Sequence, residues 1–315
     1  MQLALVTGAQ GWLGQGLMRA LAQGEWNTRT LAGDLRNPAD CQRFCADAQG
    51  AQLFHTAGVI HPHRVREFYD TNVTGTKNLL NAAVQAGVRR AVIVSSNSPC
   101  GCNPHPDHLF DEESPYNPYM NYGRSKMLME LAVREYRDRL ETVIIRAPWF
   151  YGPFQPPRQT LFFTMVRRGR FPIVGSGENL RSMAYIDSLS QGLILAANAP
   201  QANGQVYWVA DERPYSMNEI VDTVERLLED EFKIPCAHKR MRLPNIASEC
   251  AWLTDKATQA LGIYNQKIHV LSEMNKTIAC SIDKAKRELG YRPTIALEEG
   301  MRRSIQWCRE AGIQI

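Results

Sequence analysis

An α/β fold with a doubly wound parallel sheet is the class that this 315-residue sequence predicts. Three observations carry the prediction. Short apolar runs alternate with stretches of helical period, a glycine-rich turn follows the first run, and a proline-rich break introduces a mostly helical second part. The length suits a sheet domain with a smaller partner. Hydrophobic content of 44% and charged content of 22% are ordinary for a folded chain, which excludes disorder. The formal net charge is +4 and the basic residues are scattered, so no nucleic-acid partner is expected.

The elements follow in order. Leu3 to Thr7 reads as the first strand, and Trp12 to Ala22 as a helix. Thr28 to Leu31 is a second strand before "AGDL", and a helix follows from about Pro38 to Ala48. "AQLFHTAG" is the next buried strand. A long helix from about Arg64 to Ala86 closes at Gly87, a C-cap signal. "RRAVIVSS" is a strand, Tyr119 to Arg139 a helix and "ETVIIRAP" a strand. After the break at "GPFQPP", a short helix covers Thr160 to Arg168. "MAYID", the helix Ser188 to Asn198 and "QVYWVAD" read as returns to the sheet. A last helix spans Leu297 to Ala311. The expected division is 1–152 with 182–211 for the sheet domain, and 153–181 with 212–315 for a mostly helical C-terminal domain that holds substrate.

Gly8, Gly11 and Gly14 form G-x-x-G-x-x-G between the first strand and the first helix. In that context Gly8 permits the tight turn, Gly11 lets a pyrophosphate approach the backbone, and Gly14 lets the helix pack on the sheet. The helix N-terminus adds unpaired N–H groups and partial positive charge. This is the Rossmann dinucleotide signature, with Gln10, Trp12 and Leu13 in the same turn. Asp34 lies 20 residues beyond Gly14, where a carboxylate accepts bonds from ribose hydroxyls and repels a 2′-phosphate. NAD is therefore preferred over NADP, although Arg36 offers that phosphate a partner.

Tyr122 and Lys126 stand four apart on a predicted helix, which sets phenol and ammonium on one face. A phenol near pKa 10 is a weak base at neutral pH, and a nearby lysine charge, together with the positive charge of an oxidised nicotinamide, is expected to lower it. Tyr122 then moves a proton while hydride is transferred. Ser96, at the end of "AVIVSS", is placed to hydrogen-bond the reacting oxygen.

Together "TGAQGWLG", "GDL", "HTAG", "NVTGT", "SS-x5-G", "YGRSK", "RAPWFYGP" and "MAYID" resemble the extended short-chain dehydrogenase/reductase superfamily over essentially the whole chain. The resemblance implies cofactor contacts from Asp34, Leu35, His55, Thr56, Ala57, Ser95 and Pro148, and support of the active site by Asn72. It also makes Ser96, Tyr122 and Lys126 the catalytic triad, with Lys126 on the nicotinamide ribose. One departure stands out: "EWNTRTLAGDL" leaves room for one strand where the family has two, so Asp34 is expected at the ribose from a single strand beside the first. Relatives dimerise through two long helices, here Arg64 to Ala86 and Tyr119 to Arg139, so a homodimer is expected.

Within that superfamily the C-terminal "KIHVLSEMNKTIACSIDKAKRELGYRP" is most similar to 3β-hydroxysteroid dehydrogenase-like members. An apolar, sterol-like alcohol or ketone is the expected small-molecule substrate, with Trp149, Phe150, Phe154, Phe162, Phe163, Trp252 and Leu253 as candidate lining. A nucleotide-sugar 4-epimerase is the alternative. Arg181 matches one arginine of a pyrophosphate clamp, but "LSEMNKT" lacks the second. Asn97 and Ser98 follow Ser96 where a dehydratase carries Asp-Glu, so that activity is not expected. A catalytically silent cofactor-binding regulator is the alternative of another class, and the intact triad argues against it.

Cys100, Cys102, His105 and His108 share one loop, but C-x-C-x-x-H-x-x-H is no standard zinc spacing and no metal is expected. The eight cysteines include no C-x-x-C pair and read as reduced thiols. With no apolar run near the ~20 residues of a bilayer span and no leader pattern in "MQLALVTGAQ", a cytoplasmic protein without a membrane partner is expected.

Overall fold

The computed structural model describes residues 1–315. Its strands are β1 (Gln2–Thr7), β2 (Trp26–Thr30), β3 (Gln52–His55), β4 (Arg90–Ser96), β5 (Glu141–Ala147), β6 (Trp149–Tyr151), β7 (Pro172–Val174), β8 (Leu180–Arg181), β9 (Met183–Tyr185), β10 (Val206–Trp208), β11 (Tyr215–Ser216) and β12 (Met241–Leu243). Six of them form one sheet in the order β10-β5-β4-β3-β1-β2, and every pairing in it is parallel. The predicted doubly wound sheet is the observed one. The order reverses between β1 and β3, and in such sheets the crevice outside the strand C-termini at that point is where ligands bind.

Helices α1 (Trp12–Ala22), α2 (Pro38–Cys45), α3 (Val65–Tyr69), α4 (Thr76–Gln85), α5 (Met120–Arg134), α6 (Pro157–Arg167) and α7 (Ile186–Asn198) connect or cover these strands. The period-two alternation of the strands decides which face each side chain joins. Ala4 and Val6 of β1 pack with Leu17 of α1 and Leu193 of α7. Leu5 points the other way, among Phe44 of α2, Leu79 of α4 and Met129 of α5. Each such fully buried aliphatic side chain contributes roughly 1.5–3 kcal/mol.

The single strand expected before "GDL" is β2, and it lies beside β1 at the sheet edge. Other expected elements are redrawn. The long helix from Arg64 is interrupted: between α3 and α4 the segment Asp70–Gly75 is a π-helical turn. α5 stops at Arg134, five residues short of Arg139, where tight turns lead Tyr136 into the core against α4. "MAYID" does not return to the main sheet. β9 pairs with β6 in a separate parallel pair, and only β10 joins β5.

Helices α8 (Met217–Arg226), α9 (Ile246–Ala260), α10 (Gln266–Glu273), α11 (Asp283–Leu289) and α12 (Leu297–Glu310) complete the chain. A second core gathers Phe162, Phe163 and Val166 of α6 with Ile220 and Val224 of α8 and Met301 and Ile305 of α12. α9 and α10 pack against each other as a hairpin beside α5. No helix is long and apolar enough to cross a membrane.

Candidate active site

At the C-terminal edge of the sheet the glycine turn is sterically obligatory. Gly8 has φ +69°, and a Cβ there would lie 2.6 Å from the Ala57 amide nitrogen. A Cβ on Gly14 would lie 2.0 Å from the Gly8 carbonyl oxygen. Gly11 caps α1 without a side-chain hydrogen bond and is exposed, so no side chain covers the first-turn N–H groups. A pyrophosphate fits this cradle, since it needs close backbone approach and N–H donors. Trp12 donates from Nε1 to the Pro153 carbonyl at 2.8 Å, which ties the turn to the segment leading into α6.

A cleft of about 630 Å³ runs from these glycines to α6 and α10. Gly8, Gly11, Trp12, Leu13 and Gly14 line its cofactor end, with Thr56, Ser95 and Pro148. Other expected contacts sit elsewhere. The His55 ring is only 1% exposed and is held between Thr7 Oγ1 (2.7 Å) and Thr76 Oγ1 (2.9 Å). Burial drives its pKa down to about 3, so it is a neutral brace between β1 and α4 and not a lining side chain. Leu35 is buried in the core on that side of the sheet, and Ala57 lies behind Gly8. Gln10 is exposed and accepts from the Gln15 side chain through its carbonyl. The Ser95 hydroxyl donates at 2.5 Å to Glu130, whose carboxylate forms a fully buried pair with Arg146 at 2.9 Å.

Asp34 follows β2 at the sheet edge, and its carboxylate is already bound by Arg36 (2.9 and 3.0 Å to Nε). That pair holds the Asp34 carboxyl below its ordinary range. Both groups that would discriminate a ribose hydroxyl from a phosphate are therefore engaged with each other.

Ser96, Tyr122 and Lys126 all line the same cleft. Ser96 ends β4. Tyr122 and Lys126 are on α5, which opens at Met120 with φ +51°, a strained conformation for a non-glycine residue. The Tyr122 phenol is pushed above its ordinary value by burial, with Glu273 adding to the rise. The Ser96 hydroxyl and the Arg158 charge act in the opposite direction. Lys126 is not among the groups that shift the phenol in the protein alone. Lys126 Nζ turns into the core, donating to the Val94 carbonyl at 3.0 Å beside the Met129 sulfur. Burial lowers its own pKa to about 8. Asn72 sits one layer behind, 1% exposed in the π turn. Its amide accepts from the Val59 N–H at 2.8 Å, and donates to the Val59 carbonyl at 3.0 Å and to Ser125 Oγ at 3.1 Å. A π turn inserts one extra residue, which is how a helix aims an amide sideways at a neighbouring loop.

Residues 4–210 match the model of the NAD dependent epimerase/dehydratase family. The chain belongs to that family. It is 51% identical over 98% of its length and 96% of the relative's to the uncharacterized protein y4nL of Sinorhizobium fredii. It is 28% identical to the human 3 beta-hydroxysteroid dehydrogenase type 7, covering 98% of this chain and 95% of that one. Among solved structures, dTDP-glucose 4,6-dehydratase from Streptomyces venezuelae with NAD bound superposes at a TM-score of 0.73 with 25% identity, over 98% and 97% of the two chains. The protein is an enzyme of the extended short-chain dehydrogenase/reductase superfamily with a Rossmann fold.

The substrate end of this family member departs from the expected apolar list. Trp149, Phe150 and Phe162 line the cleft. Phe163 is buried in the second core, Phe154 packs at a tilt against Trp307 outside, and Leu253 is 60% exposed on α9. Trp252 lies under Lys256 rather than in the cleft. Arg181 is in the cleft but occupied, donating to the Glu273 carbonyl and lying 4.0 Å from its carboxylate. The loop with Cys100 and Cys102 gathers no metal-binding group; Asn103 clasps it to Ala279 and His108. Sequence reasoning missed a polar set contributed by Arg158 of α6, by His61 and Tyr264, and by His269 of α10. Tyr264 Oη meets His61 Nδ1 at 2.8 Å across 203 residues of chain, and no local motif could announce such a contact.

Proposed function

We propose that the enzyme interconverts a secondary alcohol and a ketone on an apolar, sterol-like small molecule. One observation carries this reading: Ser96, Tyr122 and Lys126 meet in a cleft whose substrate end is walled by Trp149, Phe150, Phe162, Met165, Phe171 and Met274. The glycine cradle, Thr56, Ser95 and Pro148 would hold NAD, with the Lys126 stem beside them. When bound, NAD supplies a carbon that accepts or returns a hydride. The Ser96 hydroxyl holds the substrate oxygen, and Tyr122 gives it a proton or removes one. Burial raises the Tyr122 phenol above its ordinary value. Lys126 supplies a positive charge whose burial favours release of its proton near pH 8. Asn72 fixes the Val59 backbone and Ser125 beneath the triad.

A nucleotide-sugar 4-epimerase is the second reading, favoured by the family match. The engagement of Arg181 by Glu273 weighs against it, since a pyrophosphate would have to displace a carboxylate. The test follows reduced-nicotinamide absorbance with a 3β-hydroxysteroid, its 3-keto product and UDP-glucose. Turnover of the steroid pair supports the proposal. Conversion of UDP-glucose to UDP-galactose without net cofactor change replaces it. Tight NAD binding with no turnover of anything points to a silent regulator.

The proposal includes NAD in preference to NADP, a cytoplasmic setting and a homodimer through α3, α4 and α5. Light scattering of the purified enzyme reads the last directly, and a monomeric mass rejects it.

A further inference from the structure

The active site rests on three elements, and one buried carboxylate joins them. Ser96 ends β4, Tyr122 and Lys126 are on α5, and Ala147 and Pro148, which line the cleft, stand at the end of β5. Glu130 lies one turn beyond Lys126 on α5 and is fully buried. Its carboxylate accepts from Ser95 Oγ at 2.5 Å, from Tyr116 Oη at 2.8 Å, and from Arg146 Nε and Nη2 at 3.2 and 2.9 Å. Those donors fill the acceptor positions of one carboxylate. Ser95 directly precedes Ser96, and Arg146 is its register partner on β5. The desolvation of two buried charges commonly offsets their attraction, so such a pair adds little stability over an apolar one. Here the balance is poorer still, because Arg146 Nη1 is buried with no hydrogen-bond partner. What singles the pair out is its place. Lys126 Nζ donates to the Val94 carbonyl at 3.0 Å, and Glu130 takes the hydroxyl of Ser95, the next residue. Successive turns of α5 grip successive residues of β4, immediately before Ser96.

We propose that Glu130 is a positioning residue for the reaction: braced by Arg146, it locks α5 to the end of β4, and its negative charge keeps Lys126 in the ammonium form. Glu130 does not line the cleft, so it acts through Ser95 and Lys126 and not on the substrate. This role rests on the alcohol–ketone reading above, in which Lys126 supplies a positive charge.

The titratable groups around Lys126 are Tyr122 one turn before it and Glu130 one turn after it on α5, and the His55 ring at the end of β3. His55 is neutral, so Glu130 is the charged group that acts on the lysine. Burial lowers Lys126 to about 8, and the Glu130 charge works against that fall. Without the carboxylate charge the ammonium loses its proton at a lower pH still.

The experiment follows reduction of a 3-keto steroid at saturating NADH across the neutral and alkaline range. In the parent, kcat/KM should fall as pH rises through about 8, with loss of the Lys126 proton. Glu130→Gln should move that fall to lower pH and cut kcat by roughly 10–100-fold, with KM little changed. Glu130→Asp keeps the charge but falls a methylene short of Ser95, so it should lose kcat while the fall stays in place. Glu130→Gln with Arg146→Met removes both charges. It should recover much of the melting temperature lost in Glu130→Gln, but neither the turnover nor the pH profile. A double variant with parent turnover and parent pH profile overturns the proposal and leaves the pair a packing feature. If no Glu130 variant folds, Ser95→Ala decides, since it cuts the link to β4 and leaves both charges. A lower kcat with NAD affinity and the pH of the fall unchanged supports the proposal, and a parent kcat overturns it. If the parent reduces no ketone, the oxidoreductase reading fails separately. NMR of isotope-labelled lysine then reads Lys126 directly: titration at lower pH in Glu130→Gln than in the parent supports the proposal, and an unchanged titration overturns it.

Discussion

The two ends of the cleft are built on different principles. At the cofactor end the constraints are backbone constraints, local in sequence and steric in origin: Gly8 and Gly14 lie six residues apart and exclude any side chain by direct overlap. At the substrate end the constraints are polar and long-range. Asn121, next to Tyr122, gives both its backbone N–H and its side-chain amide to Gln259 (3.1 and 2.9 Å), and Gln259 in turn braces the Asp255 that holds His269. A backbone cradle serves any chain that binds the same pyrophosphate. A side-chain network can be rewritten residue by residue, which is how one fold hosts many substrates.

The sharpest way to break this comparison is at the triad. Tyr122→Phe should lower turnover by roughly 10²–10⁴-fold with NAD affinity and melting temperature little changed. Steady-state kinetics beside a cofactor titration check it, and retained turnover would end the mechanism.

Next in size is Gly14→Ala, which drives a methyl against the Gly8 carbonyl. It should cost about 1–3 kcal/mol of stability and weaken NAD binding together with it, as read by denaturant unfolding and calorimetry. Normal stability and affinity would show that the turn is softer than its contacts imply.

Asp255→Asn probes the other end. It should destabilise by roughly 1–3 kcal/mol, because a buried histidine loses its charged partner. The sign with pH is fixed by the direction of the shift. His269 is raised in the folded state, so its pairing contributes fully below the ordinary histidine value near 6.5 and is lost as pH rises through the raised folded value. The parent should therefore lose part of its advantage over Asp255→Asn between acidic and mildly alkaline pH. Parallel melting curves across that range would contradict the pairing.

The smallest effect belongs to the exposed sheet edge. Arg36→Ala frees the Asp34 carboxylate from its ion pair. It should reduce NADP affinity by roughly tenfold while NAD changes much less, measured by cofactor titration. A gain in NADP affinity would mean that the pair does not set the choice.

Much of the cofactor end was legible in the sequence because its determinants are contiguous. A strand, three glycines and a helix start occupy residues 2–22, and the missing strand before "GDL" could be counted directly, with β2 beside β1 as the outcome. The sequence also marked Ser96, Tyr122 and Lys126, since a strand end and a four-residue helical spacing place them without knowledge of the rest of the fold. It misjudged what surrounds them. Whether Lys126 acts on the phenol depends on the Val94 carbonyl of a neighbouring strand, and whether His55 lines a cleft depends on Thr76, 21 residues on.

By itself, then, the sequence determined the sheet and the glycine cradle and marked Ser96, Tyr122 and Lys126 as candidates, because periodicity and steric exclusion act between near neighbours along the chain. The tertiary structure alone decided the direction in which burial moves the Tyr122 and Lys126 pKa values, and the pairing of Arg181 with Glu273 and of His269 with Asp255. Desolvation and charge depend on what surrounds a group in space, and those neighbours are assembled only when α6, α9 and α10 close over the sheet.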